Sequence, residues 1–187
     1  MARPQSVLSD DLLDRIEAVF ARTGYEGASL AMLAEAAGLK KASLYHRFPG
    51  GKAQMAGDVM RAAQARLERD VLAPMRAKGA PKDRAKATVA ALKAYYDDGK
   101  RASLLNMLAA PGIAEGDLAP AVEAGFGALI DAFAALAEDG GSRPKKARKR
   151  AERAVMLIEG GLVMARGRND AAHFHAAVDA LPDELLK

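Results

Sequence analysis

SLAMLAEAAGLKKASLYHRFPGGK, residues 29 to 52, holds two short apolar helical patterns separated by a glycine and closed by Pro-Gly-Gly. Ser29 can accept from the first free amides of a helix carrying Leu30, Leu33, Ala34 and Ala37, and Gly38 can take the left-handed conformation that ends it. A second short helix follows at once, from about Lys41 to Phe48, with Leu39, Leu44 and Phe48 on one buried face and Pro49 as its stop. Ala34 is small where two helices must cross closely. The spacing predicts a helix-turn-helix.

The outward face of this unit is cationic. From Lys40 to Lys52 stand Lys40, Lys41, Arg47 and Lys52 and no acid, whereas the first helix carries acids and bases together. A field that local suits contact with phosphate.

Outward from this stretch the helical pattern continues in both directions. Asp10 and Asp11, behind a possible Ser9 cap, open a first helix whose Leu12, Leu13, Ile16, Val19 and Phe20 form one stripe until Gly24. A long fourth helix runs from Lys52 to about Met75, and further helices are expected near 82–98, 101–109, 117–138, 144–167 and 170–180. Ser142 is a possible cap and Pro144 a first-turn residue for the helix near 144–167. Ala and Leu dominate, β-branched residues are few, and no strand is evident. The expected fold is all-α: a three-helix helix-turn-helix domain, residues 1–51, joined by the helix 52–75 to a helical ligand-binding and dimerisation domain within 52–187.

Composition narrows the functional classes. In 187 residues, half of them hydrophobic, a sizeable core can be buried. The absence of cysteine removes disulfides, thiolate metal sites and thiol nucleophiles. The net charge of +4 permits a polyanionic partner but decides little. No uninterrupted apolar run has the length of a membrane span, and MARPQSVLSDD lacks the apolar core of a signal peptide, so a soluble cytoplasmic protein with no membrane partner is expected. Of three histidines, His46, His173 and His175, the last two are two residues apart and point to different helix faces, a poor metal pair. With no nucleophile motif or phosphate-binding glycine loop, neither enzyme activity nor a cofactor or metal is expected.

Residues 21 to 52, ARTGYEGASLAMLAEAAGLKKASLYHRFPGGK, resemble the tetracycline-repressor-like (TetR) family of transcriptional regulators. Gly-Tyr before the cap, Leu-Ala-x-x-Ala-Gly-Leu at the turn and Ser-Leu-Tyr-His-x-Phe-Pro stand in order and at family spacing. Two positions depart from the pattern. Lys40 replaces the serine or threonine that often caps the recognition helix, at a cost of about 1 kcal/mol, and Ala42 stands where glycine or another small residue is frequent.

The resemblance implies a double-stranded DNA operator as partner. Lys41 and Ala42, with Lys40 beside them, would approach base edges in the major groove. Ser43, Tyr45 and His46 would offer donors to phosphate, Lys52 a charge to the same backbone, and Arg47 either phosphate contact or a solvated turn. Ser29 belongs to the same set as the cap of the supporting helix. The family also implies a homodimer built by the last two major helices, here with Val155, Ile158, Gly161 and Leu162 as interface candidates. A small-molecule effector is implied in the larger domain, where Tyr95, Tyr96, Leu105, Met107, Phe126, Ile130, Phe133 and Met156 offer adaptable apolar walls. Glu159 adds a carboxylate that interrupts an apolar helix and needs a partner. Repression relieved by the effector is the expected logic, with activation, or a helical interaction module without specific DNA binding, as alternatives. The basic run 145–153 reads as a solvated surface, because cations at a helix N-terminus oppose its dipole.

Overall fold

A computed structural model describes residues 10–109, 116 and 118–187. These residues form helices and turns with no strand among them, in the order α1 (Asp10–Gly27), α2 (Leu30–Ala36), α3 (Lys41–Arg47), α4 (Gly51–Leu67), α5 (Ala73–Met75), α6 (Pro81–Tyr95), α7 (Leu104–Leu108), α8 (Ala119–Asp139), α9 (Pro144–Arg168), α10 (Ala172–Asp179) and α11 (Leu181–Leu186). The possible Ser9 cap lies outside the described residues.

The N-terminal elements follow local chemistry. The stripe Leu12, Leu13, Ile16, Val19 and Phe20 is buried, and Gly24, at φ 71°, breaks α1 where the sequence places its end. The Ser29 hydroxyl accepts from the Met32 amide at 3.2 Å. Gly38, at φ 65°, lets the chain reverse, so that the Leu39 amide donates to the Ala34 carbonyl at 2.9 Å. Leu33, Ala34, Leu44 and Phe48 close the small core against α1.

The long connecting helix is interrupted. α4 passes through a π-turn at Glu68–Leu72 before ending in α5, an irregularity that hydrophobic spacing does not reveal. The helix expected near 82–98 stops at Tyr95, because Asp97, Asp98 and Gly99 all take left-handed conformations. Ser103 then starts α7 by accepting from the Asn106 amide, so the helix expected from 101 begins later. The helix expected near 170–180 is α10, and α11 follows it beyond the expected range. Ser142 does not cap α9: the cap position is Arg143, without a side-chain bond, and the Ser142 hydroxyl accepts from Arg150 instead.

α8 and α9 pack antiparallel as the centre of the larger domain, with α10 and α11 closing one side. Gly161 shows how closely: a methyl there would sit 2.8 Å from the Ala177 Cβ, so α9 and α10 meet on bare backbone. One expectation about apolar length needs amending. Among the described residues α8 is long and apolar enough to cross a membrane by composition alone, yet its Val122, Leu129, Phe133 and Leu136 are consumed by the core.

Candidate DNA-reading surface and ligand cavities

α3 is held by two buried anchors and leaves the rest of its surface outside. Leu44 and Phe48 are buried, whereas Lys40, Lys41, Ala42, Ser43, Tyr45 and His46 are exposed, Tyr45 at 49%. Arg47 is half-buried at the helix end, and the Ser29 side chain lies in the exposed start of α2. Lys40 makes no side-chain cap bond, so the first amides of α3 are left for solvent or a phosphate oxygen.

Lys52 stands differently from the others. Its ammonium donates to the Tyr25 carbonyl at 2.9 Å, lies 4.4 Å from the centre of the Tyr25 ring and is 3.9 Å from the Glu26 carboxylate. Much of its charge therefore ties the start of α4 to the end of α1. Beside it, the Gln54 side chain folds back to accept from the Gly50 amide at 2.8 Å, a cap the sequence reading missed.

A second tie joins the reading head to the connecting helix. Arg66 of α4 donates to Asp14 at 2.7 Å and to Glu17, both on α1. Burial raises the Glu17 carboxyl, opposed by the charges of Arg66 and Arg101. The separation of about fifty residues between partners left no local signal for this fork.

The expected effector-pocket residues do not converge on one space. Tyr95, Tyr96 and Leu105 line an inner cavity with Met60, Gln64 and Ser103, but its volume is about 20 Å3, room for one water. The Tyr95 hydroxyl donates to the Ala63 carbonyl at 3.2 Å, and burial pushes it up to about 12. Tyr96, also buried, is likewise raised by burial, with the Glu159 charge adding to it. Phe133 is closed into the core, Phe126 and Ile130 are half-buried on α8, and Met107 faces a separate outer cleft. Met156 is 62% exposed and lines neither cavity.

Glu159 is buried and accepts from the Ser103 hydroxyl at 2.9 Å, while its second oxygen has no partner. Burial raises its carboxyl from 4.5 to about 6, with the Ser103 bond and the Arg166 charge opposing. For an acid whose folded value lies above its unfolded value, the stabilisation is complete below pH 4.5 and is lost as pH rises through 6. The loss is about 2 kcal/mol. Glu159→Gln is therefore expected to melt higher than the native chain at neutral pH and to lose this part of the pH dependence. Thermal melts across that window decide it; parallel profiles for the two proteins would refute the assignment.

The residues expected at a homodimer interface need correction. Val155, Ile158 and Leu162 are buried in the chain's own core, and Gly161 faces α10, so none is available to a second copy. The opposite face of α9 is the open one, with Met156, Leu157, Val163 and Met164 exposed and nothing near Gly160. The two faces lie on opposite sides of the helix, and α9 is apolar on both. The basic run is also partly engaged: Arg148 pairs with Asp131 and Glu152, Arg153 with Glu184, and Arg150 donates to the Leu185 carbonyl.

Residues 12–59 match the family described as bacterial regulatory proteins, tetR family. No curated protein matches the chain. Among solved structures, a TetR transcriptional regulator from Legionella pneumophila is 20% identical with a TM-score of 0.80, over 97% of this chain and 100% of that one. A TetR-family regulator from Agrobacterium tumefaciens is 22% identical with a TM-score of 0.80, over 95% and 97%. A cysteine mutant of the TetR-family regulator CifR, crystallised with double-stranded operator DNA, is 24% identical with a TM-score of 0.77, over 97% and 98%.

Proposed function

From the match of residues 12–59 to the tetR family of bacterial regulatory proteins and from a fold shared with TetR-family regulators, we propose that this chain is a homodimeric cytoplasmic repressor of that family. It binds a palindromic operator and leaves it when a small-molecule effector occupies the helical body. The domain division at 51 and 52 is part of this reading. The observation that carries it is the exposed, acid-free surface of α3, from Lys40 to His46, on a helix-turn-helix core whose Leu44 and Phe48 fix its orientation.

Each side chain has a role that its position supports. Lys41 and Ala42, on the first turn of α3, face base edges, with Lys40 beside them; a lysine donates to guanine and an alanine methyl meets a thymine methyl. Ser43, Tyr45 and His46 reach phosphate oxygens, and Arg47 lies at the margin. Ser29 orients α2, and Lys52 acts mainly by fixing α4 to α1 through Tyr25. One short helix reads only a few base pairs, so specificity calls for two copies with recognition helices about 34 to 36 Å apart. The open face of α9 is the surface that supplies the second copy. An effector acts by shifting α4, which carries α1 to α3 through the Arg66 fork, and so changes that spacing.

Selection of bound sequences from random duplex tests the proposal. The expected product is an inverted repeat with half-sites about one helical turn apart. Enrichment of no sequence, or of a single unrepeated site, would overturn it.

A further inference from the structure

We propose that the cleft between α1 and the 100–107 segment binds a small organic anion carrying at least two separated carboxylate or phosphoryl groups. The cleft encloses about 580 Å3, a metabolite-sized space, against about 20 Å3 for the inner cavity. Arg22 reaches it from α1, Lys100 and Arg101 from the turn before α7, and Arg166 from α9. Its two acids, Asp14 and Glu17, are already held by the Arg66 guanidinium.

The Arg22, Lys100 and Arg101 side chains make no hydrogen bond or ion pair with a described residue, and the Arg166 guanidinium donates to the Met107 sulfur at 3.2 Å. Arg101 and Arg166 act on Glu17 and Glu159 through space without bonding either carboxylate. Four other arginines of the body find acids: Arg61 with Asp58, Arg84 with Asp139, Arg148 with Asp131, Arg153 with Glu184. A lone exposed arginine is ordinary. Four cations brought by three separate elements to one concavity repel one another, and a concave, low-dielectric wall focuses their field on whatever enters. Guanidinium groups match carboxylate and phosphoryl oxygens in pairs, and the small side chains Ala18, Ala21 and Ala102 leave the space for them.

Position gives the site a consequence. An anion held by both Arg22 and Arg166 joins α1, which carries the reading head, to α9. Occupancy thereby fixes where α3 stands. This second half rests on the proposed function, whereas binding itself does not.

The test is calorimetric titration of the full chain with citrate and, separately, inorganic pyrophosphate. The expected result is one-site binding of at least one probe, weakened about tenfold or more by Arg101→Gln and by Arg166→Gln and unchanged by Lys145→Gln. Which probe binds assigns the carboxylate or the phosphoryl class. Because neither arginine side chain bonds a protein oxygen, both variants are expected to melt as the native chain does. Failure of both probes overturns the site, as does binding that survives both substitutions and falls with Lys41→Gln. Saturating anion is further expected to shift the affinity for the selected duplex about tenfold or more. A bound anion that leaves that affinity unchanged overturns the coupling alone. Absence of any duplex binding would overturn the regulatory reading while the calorimetry still judges the cleft.

Discussion

Replacing Lys41 by Ala together with Tyr45 by Phe is expected to weaken binding to the selected palindrome by about a hundredfold per dimer or more. A good base contact is worth about 1–3 kcal/mol, a neutral hydrogen bond to phosphate about 1 kcal/mol, and two copies lose both. Both side chains are exposed on α3, and their loss leaves Leu44 and Phe48 in place, so the melting temperature should not move. The single variants divide the effect. Lys41→Ala should relax sequence preference at one position of each half-site, while Tyr45→Phe should weaken all duplexes alike. Gel-shift titrations against the palindrome and a scrambled duplex separate these outcomes. Equal affinity of native and double-variant protein for both duplexes would sink the assignment of α3 as the reading helix.

The helix-turn-helix was legible in the sequence because its determinants are local. Ser29, Gly38 and Pro49 set helix ends through bonds and torsions within a few residues of themselves, and Leu44 and Phe48 mark the buried side by spacing alone. What escaped was non-local. Arg66 meets Asp14 and Glu17, and Lys52 meets Tyr25, across separations that carry no periodic signal. The effector-pocket candidates failed to converge for a related reason. An apolar residue such as Phe133 reads the same whether it lines a cavity or fills one, and here it is buried in the core. The cleft that is open is lined by charged residues from three elements, which no single stretch of sequence assembles. α9 presents the sharpest case. Its apolar positions define two faces, and periodicity cannot say which face the chain keeps for itself.

That ambiguity yields the second large effect, at the open face of α9. Met156→Glu together with Met164→Glu places two acids per copy on a surface that the chain leaves uncovered, alongside Val163 and Gly160. In a two-fold interface the four carboxylates would be brought together and desolvated, and burying such charge costs several kcal/mol. The native chain is expected to sediment as a dimer and the variant, at the same concentration, as a monomer. It should also lose operator affinity by about a hundredfold or more, since each half-site must then be bound independently. Its monomeric fold should survive, because neither methionine contributes to the core. Ile158→Asp supplies the contrast. That side chain is buried between α9 and its own chain, so the acid should unfold the protomer and not merely divide the pair. If Met156→Glu with Met164→Glu stays dimeric while Ile158→Asp folds as a monomer, the two faces of α9 have been assigned the wrong way round.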